Sequence, residues 1–327
     1  MANYSRQINL EDFMRRVWLT VMMVVGMLLV SPVLFSGEIR TIFVTAPASF
    51  PDRSKLEAGI AALRNVGYRV VVGDSCQISL SPREKANELN KAFANPEYDA
   101  IITARGGYGS YNLLDWLDWE VIASNPKPLV GYSDITALLL SVYFKTGQTT
   151  YHGPMVAVEL GTDSQSVQNI AAIFNGEKTI CFNYQSIPVI AGKMTGRLIP
   201  ANLSLFQALQ GTEYLGSLKD AILVLEDVSE TKESLERMIW NIAHLDEFSS
   251  LRGVVFAGFT EIKNGDLDDI KRMIHDYFLG KEIPVWIGLP SYHGDFPKVV
   301  LPVGQWVEID MEKGTIEILP VPEAKIK

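Results

Sequence analysis

The sequence predicts an α/β protein of two domains behind a hydrophobic N-terminal segment. Three observations carry that expectation. From Ile39 onward, short β-branched runs alternate with amphipathic stretches, the pattern of βα units that build a parallel sheet covered on both faces. The chain has 327 residues, 47% of them hydrophobic, which is above the length at which a single core keeps growing. And residues 17–37, "VWLTVMMVVGMLLVSPVLFSG", contain no charged side chain.

That uncharged segment follows Arg15 and Arg16 and ends in Pro and small residues, the layout of an export signal or membrane anchor. A core helix rarely lacks polar residues on every side. The small-residue cleavage rule is poorly met, because Leu34 or Phe35 falls at the upstream position, so an uncleaved anchor is as consistent as a cleaved signal. Basic residues ahead of it would keep that end in the cytoplasm and send the rest outside. Met14 is an alternative start that would leave a shorter signal, and a chain whose segment were a start-site artefact would be cytoplasmic. The membrane is expected as a partner through this segment only.

The elements then follow in order. "IRTIFVTAP", "YRVVVG", "YDAIITA", "KPLVGYS" and "TTYHGPM" read as strands. "DRSKLEAGIAALRNVG", "SPREKANELNKAF", "SYNLLDWL" and "ITALLLSVYFKTG" read as helical stretches between them. Between about Gly161 and Gly196 turn signals dominate, which sets the expected division: segment 1–37, a first domain 38–170, a linker 171–190 and a second domain 191–327. In the second half "DAILVLEDVS", "RGVVFAGFTEI" and "IPVWIGLPSYHG" alternate with the helical stretches "ESLERMIWNIAHL" and "DLDDIKRMIHDYFLG". "QWVEIDMEKGTIEIL" reads as a hairpin turning at Lys313 and Gly314.

Composition excludes several classes. A formal charge of -9 offers no phosphate-neutralising surface, so nucleic acid is not an expected partner. The two cysteines, Cys76 and Cys181, have no CxxC spacing and read as ordinary buried thiols, with one bridge between them as the alternative. No HExxH occurs and the four histidines lack ligand spacing, so neither a metal nor another cofactor is expected.

Sheets of this kind bind ligands beyond the carboxyl ends of their strands, so the loops there are the places to search. In "PLVGYSDITALLLSV", Ile135, Leu138, Leu139 and Val142 repeat at helical spacing, which puts Ser133 on a strand-to-helix turn beside amides that can stabilise an oxyanion. Ser133 or Asp134 capping the helix is the plainer alternative. The GxSxG elbow is not met, since Ile135 stands at its last position. "ARGGYGS", residues 104–110, is either a nest of amides at another strand end or a tight turn. A nucleophilic serine needs a base within reach and a group to orient that base. His293, in a Gly- and Pro-rich loop after a strand, is favoured over His152; His244 and His275 fall on amphipathic helices. Glu226 and Asp227 close an apolar strand and are candidates for the acid, unless they cap the helix beginning near Thr231.

With "RGGYG", "GYSD", "NLSL", "LEDV", "GVVFAGF", "GLPSYHG" and "LPVG" in this order, the chain resembles the serine LD-carboxypeptidases, or muramoyltetrapeptide carboxypeptidases, from Ile39 to about Leu319. The resemblance implies a flavodoxin-like parallel-sheet domain followed by a β-rich α/β domain, a site in the groove between them, and a homodimer. It implies Ser133 as nucleophile, Glu226 as acid, His293 as base, and an oxyanion hole from the backbone of Gly107 and Asp134. The implied reaction releases the terminal D-alanine of a peptidoglycan tetrapeptide. Candidate substrate-binding residues are Arg105, Tyr108, Arg197 and Asn202, with the two arginines as candidates for the substrate carboxylate. Two alternatives stand beside it: a microcin-immunity peptidase cleaving a toxic aminoacyl-nucleotide, and a non-catalytic wall-peptide binding protein. Pro200 and Ala201 replace the Gly pair usual before "NLSL", which leads one to expect an altered backbone path there.

Overall fold

The computed structural model describes residues 39–322; the expected export or anchor segment lies outside the described residues. Five short strands form the parallel heart of the first sheet: β1 (Thr41–Thr45), β2 (Arg69–Val72), β3 (Ala100–Thr103), β4 (Leu129–Gly131) and β5 (Thr150–His152). Their order is β2-β1-β3-β4-β5. All five central strands but β2 are buried at every residue, which is why they read as continuous apolar runs rather than alternating ones.

The helices between them start where the side chains dictate. The Asp52 carboxylate accepts the Lys55 N–H ahead of α1 (Arg53–Asn65), and Ser81 with Glu84 forms a capping box at α2 (Pro82–Ala94). A short α3 (Trp119–Ser124) follows, then α4 (Thr136–Thr146). Every residue of α4 from Thr136 to Val142 is buried, because the helix lies between the two halves of the molecule and shares one apolar core with both. Sequence spacing exposed one apolar face of α4; a helix enclosed on all sides needs more.

The division expected at 171–190 is not a linker. Its first residues finish α5 (Ser164–Phe174), and the rest supplies β6 (Thr179–Cys181) and β7 (Ile187–Ile190), the two edges of the second sheet. That sheet also holds β8 (Met194–Asn202), β9 (Ala221–Val228), β10 (Gly253–Thr260), β11 (Val285–Ile287), β13 (Trp306–Asp310) and β14 (Thr315–Ile318). Its order is β6-β14-β13-β8-β9-β10-β11-β7, with β8 to β11 parallel and the outer pairs antiparallel. The hairpin at Lys313 and Gly314 forms as expected. Between these strands lie α6 (Leu203–Leu209), α7 (Lys232–Ala243) and α8 (Leu267–Phe278). Chain order does not respect the two sheets: β12 (Leu301–Val303) returns to the first one and pairs antiparallel with β5.

Pro200 and Ala201 leave β8 undisturbed. The strand stays paired with β9 through Asn202 opposite Glu226. Leu198 turns its backbone groups towards Gln305 and Gly304, so Pro200, two residues on, turns the same way, beyond the end of β13 pairing at Arg197. No ladder bond is lost there. Cys76 is buried as expected, but Cys181 is exposed on edge strand β6, and both are free thiols.

Candidate active site

The turn after β4 is too tight for most residues. A Cβ on Gly131 would collide with the Thr103 hydroxyl and the Ile135 side chain. The Ile135 that breaks the GxSxG pattern thus packs over the one glycine the turn requires. Ser133 itself sits at φ +63°, a left-handed conformation that costs a non-glycine residue about 1–3 kcal/mol and collects at functional sites. Residues 133–135 form one 3-10 turn leading into α4.

Across the junction, the loop after β11 brings His293 to this serine. His293 Nε2 lies 3.0 Å from Ser133 Oγ, and Nδ1 lies 2.7 Å from Glu226 Oε2. Glu226 is 1% exposed at the carboxyl end of β9, and its other oxygen accepts a 3.3 Å bond from the Asn202 amide. Thr231, not Glu226 or Asp227, caps α7. Burial alone would pull the imidazole pKa down, but the Glu226 hydrogen bond and charge, with smaller contributions from Asp227 and Glu159, leave it above its ordinary value. Asp227 accepts from Asn202 Nδ2, Ser204 N–H and Val228 N–H; burial first, then the Glu226 charge, push its carboxyl up to about 6.

Neither Ser133 nor Asp134 caps α4. Asp134 reaches back instead, accepting the N–H groups of Gly109 (3.1 Å) and Ser110 (2.8 Å), and so fastens the glycine loop to the Ser133 turn. Gly107, at φ +120°, is held from the other side by Ser49, whose hydroxyl accepts the Tyr108 N–H at 3.1 Å. Among the described residues no hydrogen bond uses the Gly107 N–H. Gly106 makes room for Ser133: a Cβ there would stand 2.9 Å from Ser133 Cβ and 3.0 Å from its Oγ. Gly106→Ala should therefore lower kcat on the order of 100-fold by displacing the hydroxyl, with all three triad side chains intact; steady-state kinetics beside a thermal unfolding curve checks this.

A cleft of about 560 Å³ opens beside Ser133, lined by Gly107, Tyr108, Tyr111, Asn202, Asp227 and Glu230 among others. Tyr108 is on its rim, 68% exposed and hydrogen-bonded to the Tyr111 hydroxyl. Asn202 lines the cleft and also braces it: its amide joins Glu226 to Asp227, its N–H donates to Thr136 on α4, and its Oδ1 caps α6. Arg105 is exposed and folds back on the Gly106 carbonyl. Arg197 lies five residues, roughly 16 Å, down β8 from Asn202, bonded to the carbonyls of Ser217 and Lys219 and to the Tyr143 hydroxyl. Among the described residues lining the cleft there is no lysine or arginine.

His152, the other histidine considered, is buried behind the site with Nδ1 on the Ser291 hydroxyl at 3.1 Å and Nε2 without a partner. Burial pulls its pKa down to about 4. A histidine depressed when folded loses stability as pH falls, since the unfolded chain takes up a proton near 6.5 that the folded one refuses until about 4. Urea titrations between pH 6.5 and 4 should show the wild type losing about 3 kcal/mol relative to His152→Phe.

The region 42–153 matches the family model of the LD-carboxypeptidase N-terminal domain, and 195–309 that of the LD-carboxypeptidase C-terminal domain. The chain is 31% identical to the murein tetrapeptide carboxypeptidase of Pseudomonas aeruginosa over 76% of its length and 86% of that protein's. It is 26% identical to the microcin C7 self-immunity protein MccF of Escherichia coli, over 89% and 95% respectively. Among solved structures, the MccF-like protein of Bacillus anthracis superposes with a TM-score of 0.79 at 26% identity, over 89% of this chain and all of the other.

Proposed function

The chain belongs to the LD-carboxypeptidase family, and from that premise we propose that it is a serine carboxypeptidase hydrolysing the L,D bond that frees the terminal D-alanine of a peptidoglycan tetrapeptide. The observation that carries the proposal is the unbroken chain of hydrogen bonds from Ser133 through His293 to Glu226, opening on a cleft lined by Gly107, whose N–H has no partner among the described residues.

In this reading the Ser133 hydroxyl donates to His293 Nε2 and passes its proton there as Oγ attacks the substrate carbonyl. Glu226 accepts from Nδ1–H, which fixes the tautomer that leaves Nε2 free to take the proton. The carbonyl oxygen gains charge next to the N–H groups of Gly107 and Asp134, each such donor being worth about 3 kcal/mol of barrier. His293 then protonates the departing amine of D-alanine, and water attacking the acyl-enzyme regenerates the hydroxyl. The tetrapeptide as substrate is supported by the likeness to the Pseudomonas enzyme. The uncharged stretch at residues 17–37 supports a place of action outside the cytoplasm.

Mass spectrometry of defined muropeptides tests this. Loss of one alanine from the tetrapeptide, with the pentapeptide unchanged, is expected; an unchanged tetrapeptide would overturn it. The likeness to MccF, which has been solved with aspartyl sulfamoyl adenosine, favours a second substrate reading, so that compound belongs in the same assay.

A further inference from the structure

The base sits on a loop with little regular structure, yet its ring must stay within hydrogen-bond reach of a serine 160 residues away in sequence. Behind that loop runs a set of buried polar contacts that the triad does not include. Lys298, 2% exposed, donates from Nζ to the carbonyl of Gly294, the residue after the base, at 2.6 Å. The same ammonium lies 3.8 Å from Glu159 Oε1 and 3.9 Å from the centre of the Phe296 ring. Its backbone is tied to α5, with the N–H donating to Ser166 Oγ and the carbonyl accepting from Asn169 Nδ2. Glu159, 8% exposed, accepts the Tyr132 hydroxyl at 2.6 Å and the Met155 N–H at 3.1 Å. Tyr132 precedes the nucleophile, and its ring centre lies 4.9 Å from that of His293.

The contacts therefore close a circuit from the nucleophile turn through Tyr132, Glu159 and Lys298 to the backbone beside the base. Burying an ammonium and a carboxylate is costly compared with apolar side chains of the same size, so stability alone does not account for them. We propose that Glu159 and Lys298 are positioning residues, a buried clamp that holds the His293 loop against the nucleophile turn. The clamp rests on His293 being the base of the reaction proposed above.

Its two charges also bear on the imidazole. The titratable groups around His293 and its clamp are Glu226 and Asp227 on β9, Tyr132 after β4, His152 on β5, Glu159, Asp163 ahead of α5, and Asp295 and Lys298 on its own loop. Neutralising Glu159 removes the largest of the carboxylate charges that oppose the ammonium, the others being Glu226, Asp163 and Asp295, and lowers the His293 pKa. Neutralising Lys298 leaves the carboxylate unopposed and raises it. The opposed signs report that both charges reach the ring; whether they also hold its loop is read from kcat once both charges are gone.

The test titrates the His293 ring by NMR in the wild type, Glu159→Gln, Lys298→Met and the double variant, beside kcat and KM for the tetrapeptide. The single variants are expected to move the ring titration in opposite directions by on the order of one pH unit. The double variant, which leaves no unpaired buried charge, should titrate near the wild type and fold. Because the Gly294 tether is gone, its kcat should nevertheless stay at least about tenfold low with KM unchanged. Single variants that leave the titration unmoved or move it the same way, or a double variant with wild-type kcat, would overturn the clamp. A wild type that titrates normally but leaves the tetrapeptide intact would instead count against the substrate, and the rate of fluorophosphonate labelling of Ser133 would then decide the clamp, a double variant labelled as fast as the wild type overturning it.

Discussion

Ser133→Ala should lower kcat for D-alanine release by roughly a million-fold while the peptide still binds with near wild-type affinity. In hydrolases whose nucleophile and base act as one unit, removing either side chain loses about that much, and what remains comes from binding and the oxyanion donors. Here the substitution deletes one oxygen and disturbs little else. Ser133 holds its left-handed φ because Gly131 and Ile135 pack against each other and Asp134 is anchored to the glycine loop, none of which involves the hydroxyl. Rapid-quench kinetics with isothermal titration of the same peptide separates the two effects. A variant that retains more than about one part in a thousand of wild-type kcat would mean that another group attacks the carbonyl, or that water does so directly.

Glu226→Gln should cost on the order of 10⁴-fold in kcat, the loss expected when the orienting group forces the wrong imidazole tautomer. The neighbour decides which way the new amide points. Asn202 Nδ2 donates to Glu226 Oε1, so a glutamine satisfies Asn202 only by turning its oxygen that way and its NH₂ towards His293 Nδ1. The imidazole must then accept at Nδ1 and carry its proton on Nε2, where it can no longer receive one from Ser133. The pH dependence moves as well. The wild-type imidazole is held above its ordinary pKa chiefly by Glu226 against the opposing effect of burial, so kcat/KM should fall on acidification through a value above 6.5. In Glu226→Gln the residual activity should persist to lower pH. A pH–rate profile of both proteins over pH 5–9 reads the direction.

How far the sequence carries such an account differs from residue to residue. The strand-to-helix turn carrying Ser133 was legible because hydrophobic periodicity changes immediately after it, and His293 as a loop residue at a strand end; the residues alone left Ser133 open between helix cap and nucleophile, and the resemblance chose. The left-handed backbone at Ser133 was not, since it is imposed by Gly131 packing under Ile135, and no pattern in one chain reports that contact. The stretch at 171–190 read as a linker because edge strands are short and turn-rich, and what makes them strands is pairing with β14 and β11. Strand β12 carries only three residues and joins the first sheet through β5, a partner some 150 positions earlier. Arg197 was a reasonable choice for a substrate carboxylate by charge alone, but its place at the far end of β8 gives its guanidinium to backbone carbonyls. No motif in the sequence sets Lys298 or Glu159 apart. Only the fold shows that both are buried behind the base.

The central claim is that Ser133 is activated by His293, and covalent labelling reads it without assuming a substrate. The wild-type protein would be incubated with a fluorophosphonate and mapped by peptide mass spectrometry, beside His293→Ala. One adduct on the peptide containing Ser133 is expected, formed at least about a thousandfold more slowly in the variant. An adduct on a different residue, or labelling of Ser133 at the same rate without the imidazole, would contradict the account.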